Sequence, residues 1–244
     1  MTNELFLTAA AIILIAYFIR GITGSGSGLI AIPLLAHFFP LTFVVPLILV
    51  LDTSASIILS LHTKLHVQWQ EIKILLPSSL IGITSGALLL ISLPREPLLI
   101  GLGIFVFIFG LRYVLNLHSD NPISAWWAIP TGFIGGLIGA MFGTGGPPYI
   151  VYLSHRLRDK TQLVGTLSGL FMIDGLIRVM AFLYLGLFIQ ADLLYSLLIS
   201  FPLMSLGLFL GQKVHLQISR RAQLALIGVL LLLSGSSLIW KALA

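Results

Sequence analysis

Long apolar stretches, separated by short charged ones, make up most of this chain. Eight of them, approximately Leu5–Ile19, Thr42–Leu61, Ile74–Leu93, Leu98–Leu117, Ser124–Phe142, Thr161–Ile189, Leu193–Gln212 and Ala222–Trp240, are long enough, or nearly so, to cross a bilayer, which takes about 20 apolar residues. Two shorter ones, Leu29–Phe39 and Pro148–Leu153, each follow a glycine-rich break. Only 9% of the 244 residues are charged and the mean hydropathy is +1.08, whereas soluble proteins carry roughly 25% charged residues. So few charges cannot cover a surface that faces water. Disordered, coiled-coil and nucleic-acid-binding proteins are excluded by the same figures, and the short loops leave no room for an ATPase domain or an extramembrane enzyme. Zero cysteines remove disulfides, thiolate metal sites and cysteine nucleophiles. The N-terminus lacks a basic n-region and a small-residue cleavage site, so its first apolar stretch is expected to be retained.

Spans in lipid must satisfy their own backbone hydrogen bonds, which makes them helices. The expected fold is an all-α polytopic membrane protein of about eight spans plus two short half-helices. Residues in the first half recur in the second. Gly24-Ser25-Gly26-Ser27-Gly28 matches Gly143-Thr144-Gly145-Gly146-Pro147 at an offset of 119, and Asp52 matches Asp174 at 122. Pro77, Gly82, Gly86, Arg95, Gly103 and Gly110 recur as Pro202, Gly207, Gly211, Arg220, Gly228 and Gly235, all at 125. Matches in one order near half the chain length predict two homologous repeats, 1–119 and 120–244. Basic residues favour the cytoplasmic side, and an inverted arrangement places nine inside against two outside (Arg95 and Lys241), where four parallel passes per half give seven against four. The count favours inverted repeats with both termini outside, leaving Arg20 and Arg178 within the membrane.

The glycine breaks carry the functional expectation. Non-helical backbone at membrane depth survives where it is buried in protein or lines a watery cavity. Gly24, Gly26 and Gly28 do not sustain a regular helix cheaply, and Pro147 and Pro148 suit a first helical turn. Each break should end one helix and start another, at Leu29 or Pro148. A helix start offers unpaired N–H groups and about half a positive charge to an anion; Ser25, Ser27 and Thr144 add hydroxyls. Paired breaks in two halves mark a secondary-transporter site at the repeat interface. The plainer reading is that such glycines permit close helix packing, and it is preferred for Gly82/Gly86, Gly207/Gly211 and the Gly132–Gly135–Gly136–Gly139 series.

The stretch from Gly21 to Leu35 and its echo from Gly139 to Pro148 resemble the signature of the TauE/SafE sulfite exporter family, small bacterial inner-membrane permeases with two homologous halves. The resemblance spans the chain and implies ATP-independent transport of sulfur-containing anions such as sulfite, sulfonates or sulfoacetate. The family's small-residue A-x-A-T-S stretch is reduced here to Gly165-Thr166-Leu167-Ser168 in the second half and replaced by Val44-Val45-Pro46 in the first, a departure that leaves room for a substrate other than sulfite.

Asp52 and Asp174 lie mid-span, where a carboxylate costs roughly 3 kcal/mol on insertion scales and is seldom idle. Each is a candidate proton carrier. Alternatively both are structural, orienting backbone amides, with Asp174 pairing with Arg178, four residues on and on the same helix face; Asp52, with no cation nearby in sequence, is the better proton-carrier candidate. Arg178 is alternatively the counter-charge for the substrate, its planar fork suiting a sulfonate. Arg20, before the first break, has the same option, with snorkelling to an interface as the plainer fate. His62, His66, His118, His155 and His215 lie near span ends and are not expected to titrate or to hold a metal; His37, which ends the first half-helix, is a weak candidate for a functional group. Trp69, Trp126, Trp127 and Trp240 suit interfacial anchoring.

Ser27 faintly suggests an intramembrane serine protease, but Gly146 stands in its place in the second half and no mid-span histidine offers a base. Neither glycine run is followed by the Lys-Ser/Thr of a phosphate-binding loop. The stronger rival is a passive anion channel or uniporter, since an inside-negative potential already favours exit of a monoanion by about 2.3 kcal/mol per 100 mV. The expectation is a non-enzymatic secondary transporter of small anions in the bacterial inner membrane. It needs no metal or cofactor, and its substrate is bound by Gly24, Ser25, Gly26, Ser27, Gly28, Gly143, Thr144, Gly145, Gly146, Pro147 and Arg178, with Asp52 and Asp174 for proton coupling.

Overall fold

The computed structural model describes residues 3–23, 26–61, 67–115, 123–214 and 220–243. Among these the chain is all-helical, with ten α-helices: α1 (Asn3–Thr23), α2 (Ser27–Leu35), α3 (Leu41–Leu61), α4 (Trp69–Ser92), α5 (Arg95–Val114), α6 (Ala128–Phe142), α7 (Gly146–Arg156), α8 (Lys160–Tyr184), α9 (Ala191–Val214) and α10 (Arg220–Leu243). Gly24, Ser25, His62, Lys64, His66, His118 and His215 lie outside the described residues.

Seven segments among the described residues are long and apolar enough to cross a membrane: α1, α3, α4, α5, α8, α9, and α6 together with the one-turn helix Ala125–Trp127 before it. A further apolar stretch, Gly228–Ala242, lies within the 24-residue α10. The half-helices α2 and α7 have 9 and 11 residues, about half a crossing. Both breaks are tighter than the sequence suggests. Ser27 and Gly28 already belong to α2, and Gly146 and Pro147 to α7, because a first turn needs no intrahelical N–H bonds and tolerates Gly and Pro.

The helices fall into two compact units, Met1–Leu51 with Leu93–Leu117 and Ile189–Ala244, and Asp52–Ser92 with His118–Phe188. Neither coincides with a sequence half. The first contains α1, α2, α5, α9, α10 and the start of α3; the second contains α4, α6, α7, α8 and the rest of α3.

In each unit the long helices meet on glycines. Lipid gives apolar side chains little reason to prefer one another, so close backbone approach supplies the packing. In the first unit α1 packs on α9 and α5 on α10; in the second α4 packs on α6. A Cβ on Gly82 would stand 2.1 Å from the Phe133 carbonyl oxygen, and one on Gly86 2.3 Å from that of Leu137. In the first unit a Cβ on Gly211 would stand 2.1 Å from the Phe18 oxygen and one on Gly207 2.6 Å from that of Leu14. The side chains between these contacts form each unit's core: Tyr17, Ile30, Leu35 and Ile48 in the first, Ile72, Leu75, Tyr149, Tyr152 and Leu170 in the second.

Candidate functional site

Gly143 ends α6 in the left-handed conformation (φ +64°), which glycine adopts without a Cβ clash. Thr144 and Gly145 bridge to Gly146, where α7 begins. Pro147 and Pro148 have no N–H, so the amide donors at this helix start belong to Gly145 and Gly146. Pro147 is buried in the first turn of α7. Gly145 is held by packing: its Cβ would lie 2.4 Å from the Gly135 oxygen and 2.9 Å from the Gly139 Cα. Gly146 is less confined, the nearest atom to an added Cβ being the Phe171 ring at 3.4 Å.

Arg178 of α8 reaches this break. Its Nη1 donates to the Gly139 carbonyl at 2.9 Å, and a Cβ on Gly139 would lie 3.4 Å from the Gly145 Cα and 3.5 Å from Nη1. The i,i+4 ion pair forms, with Arg178 Nε 2.9 Å from Asp174 Oδ2, although the N–H is not aligned on that oxygen. The other carboxylate oxygen, Oδ1, accepts from Ser79 Oγ at 2.8 Å and from the Tyr149 hydroxyl at 3.0 Å. Ser79 and Tyr149 also meet at 2.8 Å. Asp174 is fully buried and Arg178 nearly so. The network therefore ties α4, α7 and α8 together and holds one guanidinium at the head of α7. Nη2, with two of the five guanidinium N–H donors, makes no hydrogen bond among the described residues.

Thr144 is 4% exposed, and its Oγ1 has no hydrogen-bond partner among the described residues. Native proteins leave few such groups, since each costs about 1–3 kcal/mol. Thr144 stands at the mouth of a half-helix, on the segment that Arg178 approaches.

The first unit has a comparable but separate arrangement. Gly26 is left-handed (φ +96°) with nothing within 4 Å of an added Cβ, so backbone conformation alone calls for glycine there. Ser27 and Gly28 form the buried first turn of α2. Arg20, in the last turn of α1, donates from Nη1 to Ser27 Oγ at 2.8 Å and is 6% exposed. It does not snorkel, because Ser27 across the break offers it an acceptor. The sequence flags Arg20 as an intramembrane cation but does not tell its direction.

Asp52 sits midway along α3 and is partly buried; Ser56 Oγ donates to its backbone oxygen at 2.8 Å. Its neighbour Thr53 lies against α8, with Oγ1 3.0 Å from where a Cβ on Gly175 would stand. The sequence does not point to Ser79, Tyr149, Glu71 or Tyr152. Near the far end of α7 from the break, Glu71 accepts from the Tyr152 hydroxyl at 2.8 Å and from Arg156 Nε and Nη2 at 3.0 and 2.8 Å. This pair fastens the last turns of α7 to the first turn of α4. Thr166, in the retained Gly165–Ser168 stretch, is buried and accepts from the Gln68 amide at 2.9 Å. Among the described residues no three His, Cys, Asp or Glu side chains come close enough to hold a metal.

The family model of the sulfite exporter TauE/SafE matches residues 9–238. This chain belongs to the TauE/SafE family. Membership and the seven crossing helices make it a multi-pass inner-membrane transporter. It is 26% identical to the "Probable inner membrane transporter protein TsaS" of Comamonas testosteroni, over 80% of this chain and 83% of that one. It is 27% identical to a "Probable membrane transporter protein" of Haemophilus influenzae, over 70% and 71%. No solved structure matches it. The match covers both breaks, Arg20, Asp52, Asp174 and Arg178.

Proposed function

We propose that this chain is a secondary transporter of small sulfur-containing anions, sulfite, sulfonates or sulfoacetate, working without ATP. The anion is taken at the head of α7 by the Arg178 guanidinium, the Thr144 hydroxyl and the Gly145 and Gly146 amides. The observation that carries this reading is the buried hydroxyl of Thr144, without a hydrogen-bond partner among the described residues, on the segment that Arg178 approaches. A sulfite or sulfonate group has three acceptor oxygens, and charge-assisted hydrogen bonds to them are the strong kind. Asp174, Ser79 and Tyr149 position Arg178. In the first unit Arg20, Gly26, Ser27 and Gly28 form a second recognition element at the head of α2. Gly24 and Ser25 complete the first glycine run, and Gly143 turns the chain into the second break. Asp52 is the proton-coupling group, with Asp174 engaged in positioning.

The contacts of α5 with α10 support two inverted repeats. Gly103 meets Gly235 and Gly110 meets Gly228, so these helices run antiparallel. At the repeat offset of 125, Gly103 corresponds to Gly228 and Gly110 to Gly235. Each contact therefore maps onto the other, the reciprocity that a twofold axis produces. Correspondingly, α1 on α9 and α6 on α4 both run parallel, through Leu14–Gly207 and Phe18–Gly211 and through Ser78–Gly132 and Leu137–Gly86.

The test is thermal stabilisation of the purified protein by sulfite, thiosulfate, taurine, sulfoacetate and acetate, followed by flux in proteoliposomes. Ligands that bind the folded state raise its stability. Stabilisation by the sulfur oxyanions and not by acetate is expected; stabilisation by acetate alone overturns the substrate class. Flux that ignores an imposed pH gradient removes the coupling role of Asp52 and leaves a uniporter or channel.

A further inference from the structure

The first unit carries a groove of about 460 Å³ that the transport reading does not use. On α10 its wall is Leu230, Leu233, Ser234 and Ser237; on α2 it is Ile30 and Leu34. These are helical spacings of three and four, so each helix presents one continuous strip. Leu233 is 66% exposed, and the groove opens outward on a chain whose solvent is lipid. His37, three residues beyond Leu34, lines the end of the groove past α2.

Two cations gather at that end. Lys241 lies four residues beyond Ser237, on the same strip of α10, and its Nζ donates to the His37 carbonyl. Arg95 opens α5, and its Nη2 lies 3.5 Å from the Ala36 carbonyl oxygen. Both side chains are exposed and use one donor each in these contacts, of the three and five that Lys and Arg own. Burial and the Lys241 charge hold the His37 imidazole below its ordinary pKa. Exposed Glu96 partly offsets Arg95, so the contact rests chiefly on Lys241. Arg95 begins one membrane span and Lys241 ends the apolar part of α10, which puts both at headgroup depth.

We propose that this groove binds an anionic phospholipid, with one acyl chain along α2 and α10 and the phosphate at Lys241 and Arg95. Aliphatic walls with cationic donors at one end match a molecule that is apolar along its length and negative at its head. A zwitterionic lipid would fill the groove equally well but leave the cations without a net negative partner. A free phosphate would satisfy the cations and leave the groove to bulk lipid. The inference is independent of the anion site at α7.

The experiment follows melting of the full-length protein in neutral detergent as short-chain phosphatidylglycerol, phosphatidylcholine or inorganic phosphate is added. Phosphatidylglycerol is expected to raise the melting temperature saturably, with phosphatidylcholine weaker and inorganic phosphate without effect. Lys241→Gln should weaken the apparent affinity for phosphatidylglycerol about fivefold, as expected for one basic residue at a membrane surface. Ser237→Phe, which fills the groove and spares the cations, should abolish the stabilisation. Equal stabilisation by the two lipids, or an unchanged response in Lys241→Gln, overturns the proposal. Stabilisation by inorganic phosphate alone overturns it in favour of a simple anion site. If Ser237→Phe fails to fold, the Lys241→Gln titration decides.

Discussion

Thr144→Val replaces one hydroxyl by a methyl of the same shape at a position that is 4% exposed and has no hydrogen-bond partner among the described residues. Two effects of opposite sign follow. In the unliganded protein the substitution removes a buried polar group, relieving about 1–3 kcal/mol; at about 3 °C per kcal/mol for a chain of this size the melting temperature rises by several degrees. In the complex it removes a hydrogen bond to a charged ligand, worth about 1.5–3 kcal/mol, so the dissociation constant rises about 10- to 100-fold. Melting without ligand and titration with sulfite or taurine by calorimetry measure the two effects on one preparation. A variant that is both more stable and weaker binding supports a hydroxyl reserved for substrate. A variant that melts lower would refute the reasoning, because Thr144 then has a partner in the fold; one that binds as the wild type does would remove Thr144 from the site.

The two glycine breaks should respond differently to substitution. Gly26→Ala meets no atom within 4 Å, so its cost is the left-handed backbone alone, about 1–2 kcal/mol. Gly145→Ala drives a methyl into the α6 backbone and should lose far more folded protein, measured as monodisperse yield. Gly82→Ala should separate α4 from α6 and lower the melting temperature, whereas Gly146→Ala, with a flexible ring edge nearest, should be tolerated. Tyr152→Phe takes one donor from the Glu71 carboxylate and should cost about 1.5–3 kcal/mol in melting without changing which anions are bound. Asp52→Asn should leave sulfite binding intact and remove the response of flux to an imposed pH gradient; an identical pH response would dismiss Asp52 as the coupling group.

Part of the candidate site is legible along the chain. Asp174 and Arg178 are one helical turn apart, and their pairing follows from that spacing whatever surrounds them. Gly143 and Gly26 mark the breaks because left-handed backbone and short loops call for glycine. Ser79 and Tyr149 complete the Asp174 network from 95 and 25 residues away, and no local pattern announces them. They arrive because Gly136 lets α6 approach the Ser79 backbone and Gly135 makes room for the Tyr149 ring. The same applies to Glu71 and Arg156, 85 residues apart. Arg20 shows the limit from the other side: its depth is readable, but its inward direction depends on Ser27 lying across a break whose geometry the sequence leaves open.

What the sequence determined alone is whatever depends on local chemistry and on lipid as solvent: helices throughout, their approximate limits, two interruptions, and a carboxylate one turn from an arginine. These follow from apolarity, proline, glycine and the helical repeat, each acting over a few residues. What only the tertiary structure decided is which helices exchange neighbours. Each compact unit draws on both halves of the chain, and the Arg178 guanidinium and the buried Thr144 hydroxyl converge on the same break. Packing of apolar helices in lipid is set by backbone approach at a few glycines, and many pairings share almost the same composition. Only the assembled contacts select among them.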